Sequence, residues 1–314
     1  MRDAQHPDGP ILVGIDIGGT KIAAAAITTE GQLLSRGAMP TEAERGFADG
    51  LARIVALVRR ALDEARVSVT DLRAIGIGCA GPVDPARGTI DNPYTLPTWD
   101  GVDIVKPLRA TFGVPVALEN DADAAAMGEY WLGAGQGGRV VVMVTVGTGV
   151  GGGVIVDGHI YRGVGGAHPE IGHLALDPDG PACYCGIRGC WESIASGPAM
   201  VEAAVGQMPG EAAESMTGER LVALARCGNP IAGSIVDRAA QATARGVFSL
   251  INLYVPDVVV LGGGVMDAYD LFEPAIRALV EQDTMAPVDR IAIRKATLGN
   301  DAGLLGAARI ALDL

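Results

Sequence analysis

The same three-part pattern occurs twice in this chain: an apolar run, a glycine-rich turn and a second apolar run. Ile11–Ile17 leads through Gly18-Gly19-Thr20-Lys21 into Ile22–Thr28. In the middle of the chain, Val140–Val146 leads through Gly147-Thr148-Gly149-Val150-Gly151-Gly152-Gly153 into Val154–Val156. Short runs of β-branched and apolar residues bounded by glycines predict strands joined by a turn. Neither copy is the strand–loop–helix of a Walker motif, because GxxxxGK[ST] is absent. Neither is a Rossmann fingerprint, because no helix opens after the glycines. A solenoid period is missing, so two equivalent hairpins predict a half-and-half duplication.

The remaining pattern fills in both halves. Leu51–Arg66 has helical apolar spacing, and Ala74–Cys79 reads as a buried strand running into Ala80-Gly81-Pro82. Val114–Leu118 is a strand ending at Glu119-Asn120-Asp121, and Ala122–Leu132 follows as an alanine-rich helix with the Asn/Asp pair at its N-cap. Ser193–Val205, Glu219–Cys227, Ile231–Leu253 and Asp267–Gln282 read as helices, and Asp257–Leu261 as a strand entering Gly262-Gly263-Gly264. Asp301-Ala302-Gly303 opens a short C-terminal helix. Sheets with helices, twice over, predict an α/β protein of two domains. The expected division is a smaller N-terminal domain, 1–120 plus 300–314, and a larger one, 121–299, with a hinge near 119–122.

Composition narrows the function. The 314 residues suffice for two cores. A net charge of −13 argues against a nucleic-acid partner, which needs a basic face. The longest apolar candidate for a membrane span, 140–156, is broken by glycines and a threonine, so no membrane partner is expected. Residues 1–10 are polar and without the apolar core of a signal peptide, which predicts a loose tail. Five cysteines in a leaderless acidic chain point to a reducing cytoplasm.

In such a compartment a cysteine cluster binds metal more readily than it forms a disulfide. Cys183, Cys185 and Cys190 fall in one eight-residue window, with His173 upstream, in the pattern G-H-x9-C-x-C-G-x2-G-C-x-E. One imidazole and three thiolates complete a tetrahedral zinc site with no position open for chemistry, so the zinc is expected to be structural. It would pin its loop to the helix starting at Trp191 and so aim Glu192. Cys79 and Cys227 lie apart and read as core; His159 and His168 have no partner in the pattern and read as surface or structural.

The other motifs are less specific. Asp16, Gly18, Gly19, Thr20 and Lys21 suit a phosphate loop, in which backbone N–H groups form an anion nest, Asp16 faces hydrated Mg²⁺ and Lys21 offsets charge. Alone, this stretch is equally a tight hairpin with no ligand. Gly147, Thr148 and Gly149 carry the same two readings, and their repetition favours a nucleotide site. Gly262, Gly263 and Gly264 suit close approach to an adenosine. Asp121 is a candidate general base, although local sequence alone reads it as an ordinary N-cap residue and a helix N-terminus lowers its basicity. Glu170 and Glu192, on either side of the metal ligands, are carboxylates of the kind that hold adjacent sugar hydroxyls.

Taken together, these residues resemble the ROK family (repressors, open reading frames and sugar kinases) along nearly the whole chain. The resemblance rests on Asp16-x-Gly-Gly-Thr-Lys21, Gly81-Pro82-Val83, Glu119-Asn120-Asp121-Ala122, Gly147-Thr148-Gly149, Glu170-x-Gly172-His173, the cysteine loop through Glu192, Gly262-Gly263-Gly264 and Asp301-Ala302-Gly303. It implies an actin-like ATPase (ribonuclease H-like) fold whose two domains close a cleft on ATP and a hexose. It also implies that Asp121 takes the proton from the sugar 6-hydroxyl. Gly81, Asn120, Glu170, His173 and Glu192 would bind the sugar, His173 using one ring nitrogen for zinc and the other for a hydroxyl. Homodimers or homotetramers are common in the family and are expected here.

Within that resemblance the leading activity is glucokinase. His168-Pro169-Glu170 is similar to the fructokinase branch, which tends to depart from the three-cysteine pattern that is whole here. N-acetylmannosamine and N-acetylglucosamine kinases share the whole pattern, and polyphosphate is an alternative donor. A repressor of the family would carry a helix-turn-helix domain, for which the ten residues before the first strand leave no room. A silent sugar sensor would be expected to lose the aspartate or a phosphate loop, and both are intact.

Overall fold

The computed structural model describes residues 9–208 and 215–314; most of the polar stretch read as a tail lies outside them, in 1–8. The chain forms two compact units, Met1–Gln136 with Arg162–Ala167 and Asn300–Leu314, and Gly137–Tyr161 with His168–Gly299.

In the first unit, β1 (Ile11–Ile17), β2 (Lys21–Thr28) and β3 (Leu33–Pro40) form an antiparallel meander. Helix α1 (Phe47–Glu64) follows, then β4 (Leu72–Cys79), parallel to β1. The short strands β5 (Val83–Asp84), β6 (Thr89–Ile90) and β7 (Val102–Asp103) make a small separate sheet. Helix α2 (Val105–Phe112), β8 (Val116–Asn120), parallel to β4, and α3 (Asp121–Leu132) complete the run, giving the sheet order β3-β2-β1-β4-β8. Strand β1 is an almost unbroken apolar run because both its faces are covered. Helix α1 turns Ile54, Leu57, Val58, Ala61 and Leu62 inward at helical spacing.

The second unit repeats the plan. β9 (Val140–Val146) and β10 (Val150–Val156) form the hairpin, extended by β11 (His159–Ile160). Helices α4 (Trp191–Ala195), α5 (Gly197–Gln207), α6 (Gly218–Arg226) and the long α7 (Pro230–Tyr254) precede β12 (Val258–Gly262), α8 (Tyr269–Val280) and β13 (Ala292–Lys295). The order is β11-β10-β9-β12-β13, with β12 and β13 parallel beyond the hairpin. Each unit thus has an antiparallel hairpin on one side of its central strand and two parallel strands on the other, as the repeated hairpin predicts.

The last helix, α9 (Ala302–Leu312), belongs to the first unit and lies across its sheet. Its approach is closer than any side chain permits. A Cβ at Gly14 would sit 2.0 Å from the Leu304 carbonyl oxygen, and one at Gly76 would sit 1.8 Å from that of Ala307. On its other flank, a Cβ at Gly306 would sit 1.6 Å from the Ala124 carbonyl oxygen of α3.

Several elements differ from expectation for local reasons. The stretch read as one helix from Ser193 to Val205 breaks at Ser196, whose hydroxyl accepts from Ala199 N–H and caps α5 ahead of Pro198. The helix expected from Asp267 begins at Tyr269 after a 3₁₀ turn over Gly264–Ala268. Strand β10 starts within the glycine run, at Val150. Helix α2 and strand β13 are additional elements; α2 buries Val105, Leu108 and Phe112 at helical spacing. Cys79 is buried as expected, whereas Cys227 is exposed where α6 ends. Among the described residues, no helix is long and apolar enough to cross a membrane.

The contact of α9 is testable with two alanines. Gly76→Ala should lower thermal stability by about 1–3 kcal/mol or more through overpacking. Gly233→Ala, on α7 with nothing within 4 Å of the new methyl, should raise it by about 0.5–1 kcal/mol. Apparent melting temperatures moving the same way would contradict this packing.

Candidate active site

In the first unit the site grows from three adjacent strand ends. Ile17 of β1 pairs with Cys79 of β4, and Cys79 with Asn120 of β8. Asp16, one residue before the end of β1, pairs with Gly78, and a Cβ at Gly78 would lie 2.9 Å from the Ala124 Cβ. The missing side chain therefore lets the first turns of α3 pack closely on β4, next to Asp16. Burial is the main cause that raises Asp16 to about 6, and the charge of Asp121 adds to it; Lys21 and Arg36 act in the opposite direction. Burial likewise pushes up the Cys79 thiol between these carboxylates, with Asp121 and Asp16 contributing.

Asn120 is the N-cap of α3. Its Oδ1 accepts from Ala122 N–H at 2.9 Å and Asp123 N–H at 3.3 Å, while Asp121 Oδ1 accepts from Ala122 N–H at 2.8 Å. With Oδ1 spent on the cap, Nδ2 faces Gly81, where a Cβ would lie 2.5 Å away. Gly81, Asn120 and Asp121 are thus gathered with Asp16. The turn Gly18–Lys21 closes through Gly18 N–H to Lys21 C=O at 2.9 Å and is held from below by the Thr41 hydroxyl on the Gly18 carbonyl at 2.7 Å. Gly19, Thr20 and Lys21 remain exposed. Asn92, left out of the sequence-based site, is fully buried and uses its amide on Ala80 and on the turn at Tyr94–Thr95.

In the second unit, Gly147 N–H donates to Gly149 C=O at 2.8 Å, and the Gly147 carbonyl accepts from Gly197 N–H at 2.8 Å. A Cβ on Gly147 would lie 3.7 Å from Gly264 N, so the second glycine loop and the Gly262–Gly264 stretch are neighbours. The cysteine loop is folded by its own backbone. Cys183 N–H donates to Ile187 C=O, Gly189 N–H to Pro181 C=O and Trp191 N–H to Leu174 C=O. Gly186 and Gly189 both have positive φ, 92° and 65°, which explains why the turn between the cysteines needs glycine.

This folding brings one donor atom each from His173, Cys183, Cys185 and Cys190 within 4.8 Å of one another. Cys183 Sγ is 3.6 Å from His173 Nδ1, and Cys185 Sγ is 3.5 Å from Cys190 Sγ, with no disulfide formed. Four such atoms suit a tetrahedral zinc ion, whose bonds of about 2.0–2.3 Å leave ligand atoms roughly 3.5–4 Å apart. Next to them, Trp191 is fully buried; its indole stacks where Gly246 of α7 has no side chain, and its N–H donates to Thr243 Oγ1 at 3.3 Å.

Glu192 follows in the first turn of α4. It accepts from Val150 N–H at 2.8 Å, and a Cβ on Gly149 would lie 2.5 Å from the same oxygen. The cysteine loop and the second glycine loop are therefore joined through one carboxylate, a contact that the pattern alone does not reveal. Glu170 is exposed and 3.2 Å from His168 Nε2, which pulls its pKa below the usual range. His168, expected to be without a partner in the site, is thus next to it. The predicted residues gather into two groups: Asp16, the first glycine turn, Gly81, Asn120 and Asp121 in the first unit, and Glu170, His173, Glu192, the cysteines and the remaining glycines in the second.

Two further residues were not found by sequence reasoning. Arg162 bridges Glu119 and Asp123, which bracket the Asn120–Asp121 pair, at 2.5 Å for Asp123. Asp123 is fully buried, and a buried acid requires a cationic partner, but nothing in the sequence says which one. Tyr184, the spacer of Cys-x-Cys, places its hydroxyl 3.2 Å from His173 Nε2.

A duplicated sheet with a glycine hairpin in each half and an acidic strand end beside the first defines an actin-like ATPase fold. The chain belongs to the ROK family, whose model matches residues 12–314. It is 37% identical over 323 residues to the glucokinase of Streptomyces coelicolor, covering 96% of this chain and 98% of that one. It is 34% identical over 298 residues to an N-acetylmannosamine kinase of Yersinia pseudotuberculosis, covering 94% and 96%. Among solved structures, a ROK family glucokinase from Streptomyces griseus in complex with glucose and AMPPNP matches with a TM-score of 0.80 and 34% identity, over 97% of this chain and 100% of that one.

The raised Asp16 fixes the sign of a pH effect. Above about pH 6 the folded protein holds this half-buried carboxylate charged, which costs stability; the cost falls as pH drops through 6 and vanishes below the ordinary value of 3.8. Asp16→Asn should therefore stabilise the fold at pH 8 by about 1–3 kcal/mol and lose that advantage by pH 4. Equal melting-temperature gains at both pH values would contradict the assigned burial.

Proposed function

We propose that this protein is an ATP-dependent hexose kinase that phosphorylates the sugar 6-hydroxyl, with glucose as its substrate. The observation carrying this reading is the meeting of Asp121 with Asp16 beside an exposed glycine turn, in a chain related to glucokinases along nearly its whole length. In the proposed reaction Asp121 accepts the proton as O6 attacks the γ-phosphorus, and the bond from that phosphorus to the ADP oxygen breaks. Asn120, fixed by its own cap bonds, and Gly81 orient the hydroxyl-bearing end of the sugar. Glu170, His173 and Glu192 bind other hydroxyls by charge-assisted hydrogen bonds. The first glycine turn, through Gly19 and Thr20, and the second, through Thr148 and Gly149, cradle phosphate oxygens, and Gly262–Gly264 gives room to the adenosine. Asp16 would hold the hydrated Mg²⁺ that accompanies ATP, which supplies neutralisation of phosphate charge. Such catalysis relies on positioning more than on a strong base, so the low basicity of a carboxylate at a helix N-terminus is tolerated.

The second reading is N-acetylmannosamine kinase, favoured by the 34% identity to such an enzyme. Coupled ADP release with Mg-ATP separates the two, using glucose, mannose, fructose, N-acetylglucosamine, N-acetylmannosamine and a sugar-free control. Glucose is expected to give the largest kcat/KM. Release at the control level with every sugar would overturn the kinase reading. Asp121→Ala should lower kcat by about 10²–10⁴-fold while equilibrium sugar binding is largely kept; retained turnover would place the base elsewhere.

His173, Cys183, Cys185 and Cys190 are proposed to hold one structural zinc ion, whose contribution is to lock the loop that carries Glu192. Elemental analysis is expected to find about one zinc per chain, and Cys190→Ser to lose it with a lower melting temperature. Folded, active protein free of metal would refute this assignment.

A further inference from the structure

Tyr184 stands out because its ring and its hydroxyl are in opposite situations. The residue is 78% exposed, so packing does not hold it. Its hydroxyl nevertheless lies 3.2 Å from His173 Nε2, and the two rings meet edge to face with centroids 5.2 Å apart. His173 has its other nitrogen, Nδ1, turned to Cys183 Sγ at 3.6 Å. Nε2 is thus the nitrogen left for a ligand, and here a phenol is bonded to it.

A phenol offers an imidazole the same donor and acceptor that a sugar hydroxyl offers. We propose that Tyr184 is an affinity-setting residue, whose hydroxyl stands in the place of a sugar hydroxyl on His173 Nε2 and is displaced when sugar binds. This rests on the reading of His173 as a sugar partner. Its consequence is that every sugar must replace a bond the protein already makes, so affinity is held below what the site itself can give. In return, the imidazole is oriented and satisfied before the sugar arrives.

The test is Tyr184→Phe, which keeps the ring and removes only the competing hydroxyl, in zinc-replete full-length protein. Removing a hydrogen-bonded competitor should tighten glucose binding by about three- to tenfold, with the change in turnover carried by KM rather than kcat. Imidazole ¹⁵N spectra supply a readout independent of activity. The His173 resonance should differ between the wild type and Tyr184→Phe without sugar, and the two should coincide when both are saturated with glucose. Weaker binding in the variant, or spectra that differ only at saturation, would show that the phenol contacts the bound sugar and would overturn the proposal. Unchanged binding in a wild type that phosphorylates glucose would overturn it while leaving the kinase reading intact. No binding of any hexose by the wild type would remove both.

Discussion

The first unit depends on a place where side chains are missing. Helix α9 sets its backbone carbonyls against Gly14 of β1 and Gly76 of β4, and accepts the Ala124 carbonyl of α3 at its own Gly306, all at distances that exclude even a methyl group. Two strands and a helix are thereby held to one spacing. The consequence reaches the site directly. A Cβ on Gly303, at the start of α9, would be 3.1 Å from the carboxyl carbon of Asp16, and Asp301 beside it pairs with Arg36 at 3.1 Å. The start of the last helix thus helps cover an acid on the first strand, and desolvation of that acid is the main cause of its raised pKa.

The second unit uses a different device for the same purpose. Its cysteine loop has little apolar content of its own, and its backbone hydrogen bonds run mainly within the loop. Order is supplied at one end by the cluster of His173 and three cysteines and at the other by Trp191, wedged against Gly246 of α7. Glu192 lies one residue beyond that wedge, and its bond to Val150 N–H ties the cluster to the turn between β9 and β10. A change at the cysteines should therefore be felt at the glycine loop without any contact between them.

Much of this was legible from the residues. The two hairpins appear as apolar runs separated by glycines because alternation of propensity is local, and the spacing of the cysteines is visible because a small loop must bring its ligands together within a few residues. Asn120 and Asp121 were legible because capping is also a local act. What the sequence hides is partnership across distance. Arg162 with Glu119 and Asp123, His168 with Glu170, and Glu192 with Val150 are each set by where elements pack. The break at Ser196 was in principle readable from Ser-Gly-Pro, since a hydroxyl followed by proline favours a new helix start. The exposure of Cys227 was not, because a lone cysteine at a helix end carries no pattern.

The charges of the site impose a last condition on the proposed reaction. Asp16 and Asp121 are held close enough that each opposes ionisation of the other's neighbour Cys79, and Asp121 raises Asp16 itself. A triphosphate brought to this acidic end would add negative charge where the protein already resists it. Lys21 is exposed at the end of the turn, and Arg36 is engaged with Asp301, so the side chains here cannot balance that charge alone. In the proposed reaction, a divalent cation bound with the nucleotide would reverse the local sign beside Asp16 and leave Asp121 as the carboxylate to take a proton. On that reading, the raised Asp16 and the need for a cation beside the nucleotide would share one origin, the desolvation of this strand end.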